Sequence, residues 1–191
     1  MGQTLVLAGQ TITPAVLNRI YGIADTTSHA VNNTTYANLS SSYSIPAGDA
    51  LVGTAYRLTT YGNGTWGSTQ QALTVACNLA GTNVGTTPAI ASTAFSASGV
   101  FDFEFEIKIV CVSTGTTGTW IASIRGGANQ TTNPVLPGTA ADNSAGIYGC
   151  THSAVTQDTT VANSFAVQAK WASATGSPTL SCQATIFEKV N

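Results

Sequence analysis

The segment that most constrains this chain is 101–112, in which apolar and charged residues alternate without a break from Phe101 to Ile109. Side chains of a β-strand point to opposite faces in turn, so this alternation predicts a strand with one dry face and one wet face. The apolar set is Phe101, Phe103, Phe105, Ile107, Ile109 and Cys111, and the charged set is Asp102, Glu104, Glu106 and Lys108.

The residues that follow this strand predict its partner. If Thr114–Thr117 form a four-residue hairpin loop, Glu106 falls opposite Arg125 on the wet face. A slip of one residue would send every side chain to the wrong face, so agreement on both faces favours this register. On the dry face the same register pairs Cys111 with Trp120, Ile109 with Ala122, and Ile107 with Ile124.

The rest of the chain from Ile45 onward is a series of apolar-alternating segments separated by turn residues. We predict an all-β fold: a single jelly-roll-like β-sandwich of antiparallel strands, over 46–191, preceded by an N-terminal arm with a short helix, over 1–45. A second hairpin is expected near the C-terminus, with Trp171 opposite Leu180 and Phe165 opposite Ile186. The predicted strands are 34–39, 52–60, 71–79, 90–96, 100–112, 118–126, 146–157, 162–172 and 179–190.

Composition limits what such a sandwich does. Only 7% of the residues are charged and only six are basic, too few for a stripe that neutralises several phosphates. No apolar run is long enough for a membrane span, and the N-terminus lacks a secretory signal pattern. We therefore expect no nucleic-acid partner, no membrane insertion and no export. No phosphate-binding loop or zinc-ligand spacing occurs, so no cofactor and no metal are predicted.

The four cysteines lie more than thirty residues apart. Cys77, Cys111 and Cys182 fall in the apolar positions of their predicted strands, which favours small buried hydrophobes. Disulfides across the sandwich core remain the alternative.

Two groups of polar residues are candidates for chemistry. Asp102, Glu104 and Glu106 project from one strand face, as the paired carboxylates of a glycan hydrolase would, but a solvated or subunit-facing surface explains them better. We predict no enzymatic activity. The second group is a glycine-rich loop containing Tyr61, Asn63 and Trp66, whose rings and amide suit stacking on a sugar. The alternative is that Trp66 folds back onto the core.

The N-terminal segment contains a helix signal. Thr13 suits the cap, Pro14 the first helical position, and Gly22 the stop. We predict that its apolar residues anchor the chain to a neighbouring protein, with docking on the chain's own core as the alternative. The anchor residues are Leu5, Leu7, Val16, Leu17 and Ile20.

Several segments together resemble virion structural proteins of tailed bacteriophages. They are 24–27 (ADTT), 42–49 (SYSIPAGD), 52–58 (VGTAYRL), 158–163 (DTTVAN), 168–171 (QAKW) and 182–188 (CQATIFE). The resemblance extends from about the start of the helix to the C-terminus, and it rests on structural signatures of a jelly-roll module without a catalytic motif.

The resemblance implies a structural protein on the virion surface, assembled in the host cytoplasm. Its short N-terminal arm favours a capsid decoration or head-fibre protein, or a small tail appendage, over an extended fibre. The implied partners are copies of the same chain, as a trimer, and other capsid or tail proteins. The alternative function is host attachment by a receptor-binding module of the tail that binds a cell-surface glycan.

Overall fold

A computed structural model describes residues 23–69, 71–87, 89, 97–130, 144–148 and 154–190. Within these ranges the chain is all-β, with no helix. The predicted helix, the anchor residues and the whole of the predicted strand at 90–96 lie outside the described residues. The strands are β1 (Ile23–Asp25), β2 (His29–Val31), β3 (Ala37–Asn38), β4 (Tyr43–Ile45), β5 (Ala55–Thr65), β6 (Leu73–Leu79), β7 (Thr82–Thr86), β8 (Val100–Ser113), β9 (Thr119–Gln130), β10 (Ser144–Tyr148), β11 (Val155–Thr156), β12 (Asn163–Trp171) and β13 (Thr179–Lys189).

These strands form two antiparallel sheets, as the sequence predicts. The large sheet has the order β1-β13-β5-β8-β9-β10, with β2 also pairing β13 and β11 pairing β9. The small sheet has the order β3-β12-β6-β7, with β4 also pairing β12. In each sheet one C-terminal strand lies between the early strands and the middle ones, which is the wrapping of a jelly roll.

Residues 23–45 take part in both sheets. Strands β1 and β2 pair with β13, while β3 and β4 pair with β12. The described part of the predicted lead-in therefore contributes strands to the sandwich.

The predicted hairpin of β8 and β9 is confirmed in its register. Cys111 lies opposite Trp120, Ile107 opposite Ile124, and Glu106 opposite Arg125. All the apolar residues of the dry face are buried.

The predicted C-terminal hairpin was wrong, because β12 and β13 lie in different sheets. Trp171 pairs with Leu73 of β6, while Leu180 pairs with Gly64 of β5. Apolar alternation is satisfied by any antiparallel partner, and this pair has no opposite charges on its wet face to select one register. The chain between them crosses from one sheet to the other.

Two glycines of β5 make room for the core. Gly62 and Gly64 lie opposite Phe103 and Phe101 of β8. A Cβ on Gly62 would lie 2.0 Å from the backbone oxygen of Ser181 and 2.7 Å from the Phe103 ring. The phenylalanine rings thus lie over a strand that has no side chains beneath them, a close approach that only glycine permits.

We predict that Gly62→Ala lowers the free energy of unfolding by about 3 kcal/mol, because the backbone oxygen cannot move aside without breaking strand pairing. Gly81→Ala is the control, since its Cβ would meet nothing within 4 Å and only its positive φ of 83° opposes alanine. That strain costs about 1 kcal/mol. Urea denaturation measures both, and equal losses would contradict the packing explanation.

Candidate functional site

The outer face of the large sheet holds half of the chain's charge. Strands β13, β5, β8 and β9 lie side by side there, and their outward side chains form cross-strand rows. Of the fourteen formal charges of the chain, these four strands place seven on this face: Arg57, Asp102, Glu104, Glu106, Lys108, Arg125 and Glu188.

An ion-pair network crosses the middle of this face. Arg125 Nε lies 2.8 Å from Glu106 Oε1, and its terminal nitrogen donates to Oε2 at 2.9 Å. Arg57 lies between two carboxylates, 3.5 Å from Glu106 and in direct contact with Glu188. The hydrogen bond from Arg125 to Glu106 raises the pKa of the guanidinium. These groups are accessible to water, so the network fixes side-chain positions more than it stabilises the fold.

Next to the network, the surface is depressed. The depression has a volume of about 320 Å³ and is lined by Glu104, Glu106, Arg125 and Gly126. Glu104 and the neighbouring Asp102 have no ion-pair partner among the described residues. A Cβ on Gly126, whose φ is 148°, would lie 2.0 Å from the Glu104 backbone oxygen, so glycine is required at this wall.

The segment predicted as a sugar-binding loop is a strand. Tyr61 and Asn63 lie on the outer face of β5, opposite Glu104 and Asp102. Trp66 follows the strand and is completely buried, 4.7 Å from the Phe101 ring and 5.3 Å from the Trp171 ring between centroids. The loop prediction was wrong because the glycines serve ring packing within a strand. The alternative, Trp66 packed on the core, is what the structure shows.

The same face ends in an apolar surface that sequence reasoning missed. In its last cross-strand row Val110 lies between Ala55 and Ile121, and the Val190 nitrogen donates to the Ala55 carbonyl. The register of β8 and β9 contains this signal, because it places Val110 opposite Ile121 on the outward side. We define the apolar end patch as Leu51, Val52, Val110, Val112, Ile121 and Val190.

The loop that carries Leu51 and Val52 is held in place. These side chains are 66% and 68% exposed. The Gly53 nitrogen donates to the Cys111 carbonyl at 2.8 Å. Asp49 accepts from Tyr56 at 2.8 Å and pairs with Lys189 at 3.0 Å. These contacts hold the loop in a conformation that leaves the Leu51 and Val52 side chains exposed to solvent.

A serine, a histidine and an aspartate meet where β1 and β2 approach the small sheet. Ser41 donates to the Asp25 carboxylate, and His29 Nε2 lies 3.1 Å from Ser41 Oγ. In a hydrolytic triad the imidazole accepts the serine proton and the carboxylate orients the imidazole. Here the Ser41 hydroxyl donates its hydrogen bond directly to the Asp25 carboxylate. The arrangement ties three chain segments together, and its hydrogen-bond order differs from that of a hydrolytic triad.

The described residues contain no group of histidine, cysteine and carboxylate side chains that could hold a metal ion. Cys77, Cys111 and Cys182 are buried, as the apolar register predicts. No helix within the described ranges is long and apolar enough to span a membrane. The anchor assignment of Leu5, Leu7, Val16, Leu17 and Ile20 stays a prediction.

No family model matches the chain, and no curated protein or solved structure matches it either.

The burial of Trp66 yields a stability prediction. We expect Trp66→Ala to lower the free energy of unfolding by about 3–5 kcal/mol, because removing the indole leaves a cavity between Phe101 and Trp171. Tyr61→Ala, on the outer face of the adjoining strand, is expected to change it by no more than about 0.5 kcal/mol. Urea denaturation measures the free energy of unfolding of both variants. A Trp66→Ala protein as stable as the parent would refute the aromatic packing.

The Asp25 cluster gives a pH dependence. Hydrogen bonds from Ser41 and Thr27 lower the pKa of Asp25 to about 2 from its ordinary value of 3.8. A carboxyl whose pKa is lower in the folded state than in the unfolded state stabilises the fold at pH values above the unfolded-state pKa. This contribution disappears as the pH falls from about 4 to about 2. We expect Ser41→Ala to flatten the acid limb of a stability-versus-pH curve in this window. An acid limb of unchanged slope in the variant would contradict this assignment.

Proposed function

We propose that this chain is a structural component of a tailed-bacteriophage virion, exposed on the particle surface as a capsid decoration, head-fibre or small tail-appendage protein. In this proposal it assembles by contacts between subunits, as a trimer, and with other capsid or tail proteins. Three properties support the proposal: the resemblance of its segments to such proteins, its jelly-roll-like strand order, and its low content of charge.

The observation that carries the proposal is the apolar end patch. Exposed aliphatic residues that cluster on one surface mark interaction sites, whereas single ones are ordinary. Leu51 and Val52 are held on a loop fixed by Asp49, so their exposure is built into the fold. A contact surface without charge avoids the free-energy cost of burying ionised groups.

The neighbouring ion-pair network fits the edge of such a contact. Interfaces combine an apolar centre with a polar rim that stays accessible to water. The row next to Val110 contains Arg57, Lys108 and Glu188. The patch would therefore form the centre of a subunit contact, with this row at its border.

Host-glycan binding is the second candidate function. The buried Trp66 is unavailable for it, but Tyr61 keeps an exposed ring. Tyr61 also lies opposite Glu104, which lines the surface depression.

We predict that the protein in solution has the mass of three 19.4 kDa chains, and that Val112→Asp converts it to monomers. An aspartate at the centre of an apolar contact would be desolvated without a partner. Light scattering coupled to size-exclusion chromatography measures the mass.

Val100→Asp is the matched control for this experiment. Val100 and Val112 are outward-facing residues at opposite ends of β8, 45% and 46% exposed. The control is expected to keep the parent mass. A parent that is monomeric at every concentration, or equal dissociation by both variants, would overturn the assembly role of the patch.

A further inference from the structure

The depression on the outer face of the large sheet lies where strand β9 has glycines, which have no side chains to fill it. Strand β9 has glycine at positions 126 and 127, and Gly127 is the register partner of Glu104. On the other side of this row, Tyr61 lies opposite Ala184 of β13. Tyr61 and Glu104 therefore rise from the sheet between two small residues, beside a hollow of about 320 Å³.

Hydrogen-bonding groups of both kinds converge on this hollow. Arg125 uses its Nε and one terminal nitrogen on Glu106, and its side chain is 68% exposed. A guanidinium has five N–H donors, so further donors face the solvent in a fixed direction. Glu104 supplies acceptor oxygens that form no ion pair with any described residue.

Tyr61 adds a flat apolar surface next to these groups. Its side chain is 37% exposed, and residues directly opposite in an antiparallel pair have Cβ atoms about 5 Å apart. Tyr61 is amphipathic, with a ring face that accepts C–H groups and a hydroxyl at its rim. A ligand bound to Glu104 would therefore reach this ring.

We propose that Tyr61, Glu104 and Arg125 form a binding site for a neutral pyranose sugar. One apolar face of the sugar ring packs on Tyr61. Neighbouring hydroxyls donate to the Glu104 carboxylate and accept from Arg125. This proposal rests on the second candidate function, glycan binding. It adds where in the fold the glycan binds and which class of sugar is bound.

Charge favours a neutral ligand over an anionic one. Arg125 is already paired with Glu106. Asp102 and Glu104 form no ion pair with any described residue, so carboxylates outnumber guanidinium groups around the hollow. A sugar acid or a phosphorylated sugar would meet this excess of negative charge. Vicinal hydroxyl groups match the adjacent carboxylate and guanidinium without adding charge.

The site and the apolar end patch occupy different rows of the same face. The row of Arg57 and Lys108 separates Val110 from the rows that hold Glu106 and Glu104. Sugar binding and subunit contact therefore use different residues, and the failure of one leaves the other standing.

The test is a titration of the full chain, labelled with ¹⁵N, with the methyl pyranosides of glucose, galactose, mannose and N-acetylglucosamine. We expect at least one glycoside to bind with a Kd on the order of 1 mM. Saturating shifts should centre on the amides of Tyr61, Glu104 and Arg125. No saturating shift up to about 100 mM of any of the four would overturn the proposal, as would shifts centred elsewhere.

Variants separate the contributions. Tyr61→Ala and Glu104→Gln are each expected to weaken binding about tenfold, while Tyr61→Phe keeps it because the ring face remains. Thr65→Ala, on the outer face of the same strand, is the control and should leave the Kd unchanged. Equal Kd values for Tyr61→Ala and the parent would overturn the site.

Glucosamine distinguishes sugar recognition from simple attraction of a cation. Binding of glucosamine alone, lost in about 0.5 M salt, would show that only the negative charge of Asp102 and Glu104 acts, and the proposal would fall. Binding of the neutral glycosides that persists at this salt concentration supports it.

Discussion

The alternation along β8 is the constraint on which the rest of the structure depends. This strand pairs along its length with β5 on one side and β9 on the other. Its apolar residues enter the core, where Phe101 stacks on Trp66 and Trp66 meets Trp171 of the opposite sheet. Its charged residues are held on the outer face by the same period of two. A shift of one residue would bury four charges and expose six apolar side chains.

The few charged residues of this chain are distributed unevenly between the two sheets. Half of the formal charges lie on the outer face of the large sheet, whereas Lys170 is the only charged residue in the described strands of the small sheet. Even Lys170 lies over a ring, 4.6 Å from the centroid of Tyr36. On the charged face, the row of Arg57 and Lys108 lies between the apolar end patch and the hollow, where Glu104 forms no ion pair with any described residue. A surface divided in this way suits a protein that holds a neighbour at one end and presents polar groups elsewhere.

The sequence predicted local pairing better than long-range pairing. The β8–β9 register was predictable because two faces gave independent conditions, with Glu106 and Arg125 on one and Cys111 and Trp120 on the other. For β12 and β13 only the apolar face constrained the pairing. The apolar residues of β6 and β5 are equally good partners, and these are the strands with which β12 and β13 pair. Gly62 and Gly64 predict a loop from the sequence alone, because a sequence does not show which ring of another strand covers them. Of the candidate site, Tyr61 and Glu104 were each visible in the sequence. Their adjacency depends on the β5–β8 register, which joins residues far apart along the chain.

We propose that the outer face of the large sheet is divided into a contact end and a solvent-facing remainder. A cryo-electron microscopy map of the phage particle in which we propose that this chain assembles, with the chain located in the density, tests it most directly. The account predicts a jelly-roll-like sandwich on the particle surface with Leu51, Val52 and Val112 buried against a neighbouring subunit, and with Glu104 and Arg125 accessible to solvent. A particle without this chain, or one in which the charged rows are buried and the apolar end patch faces water, would contradict it.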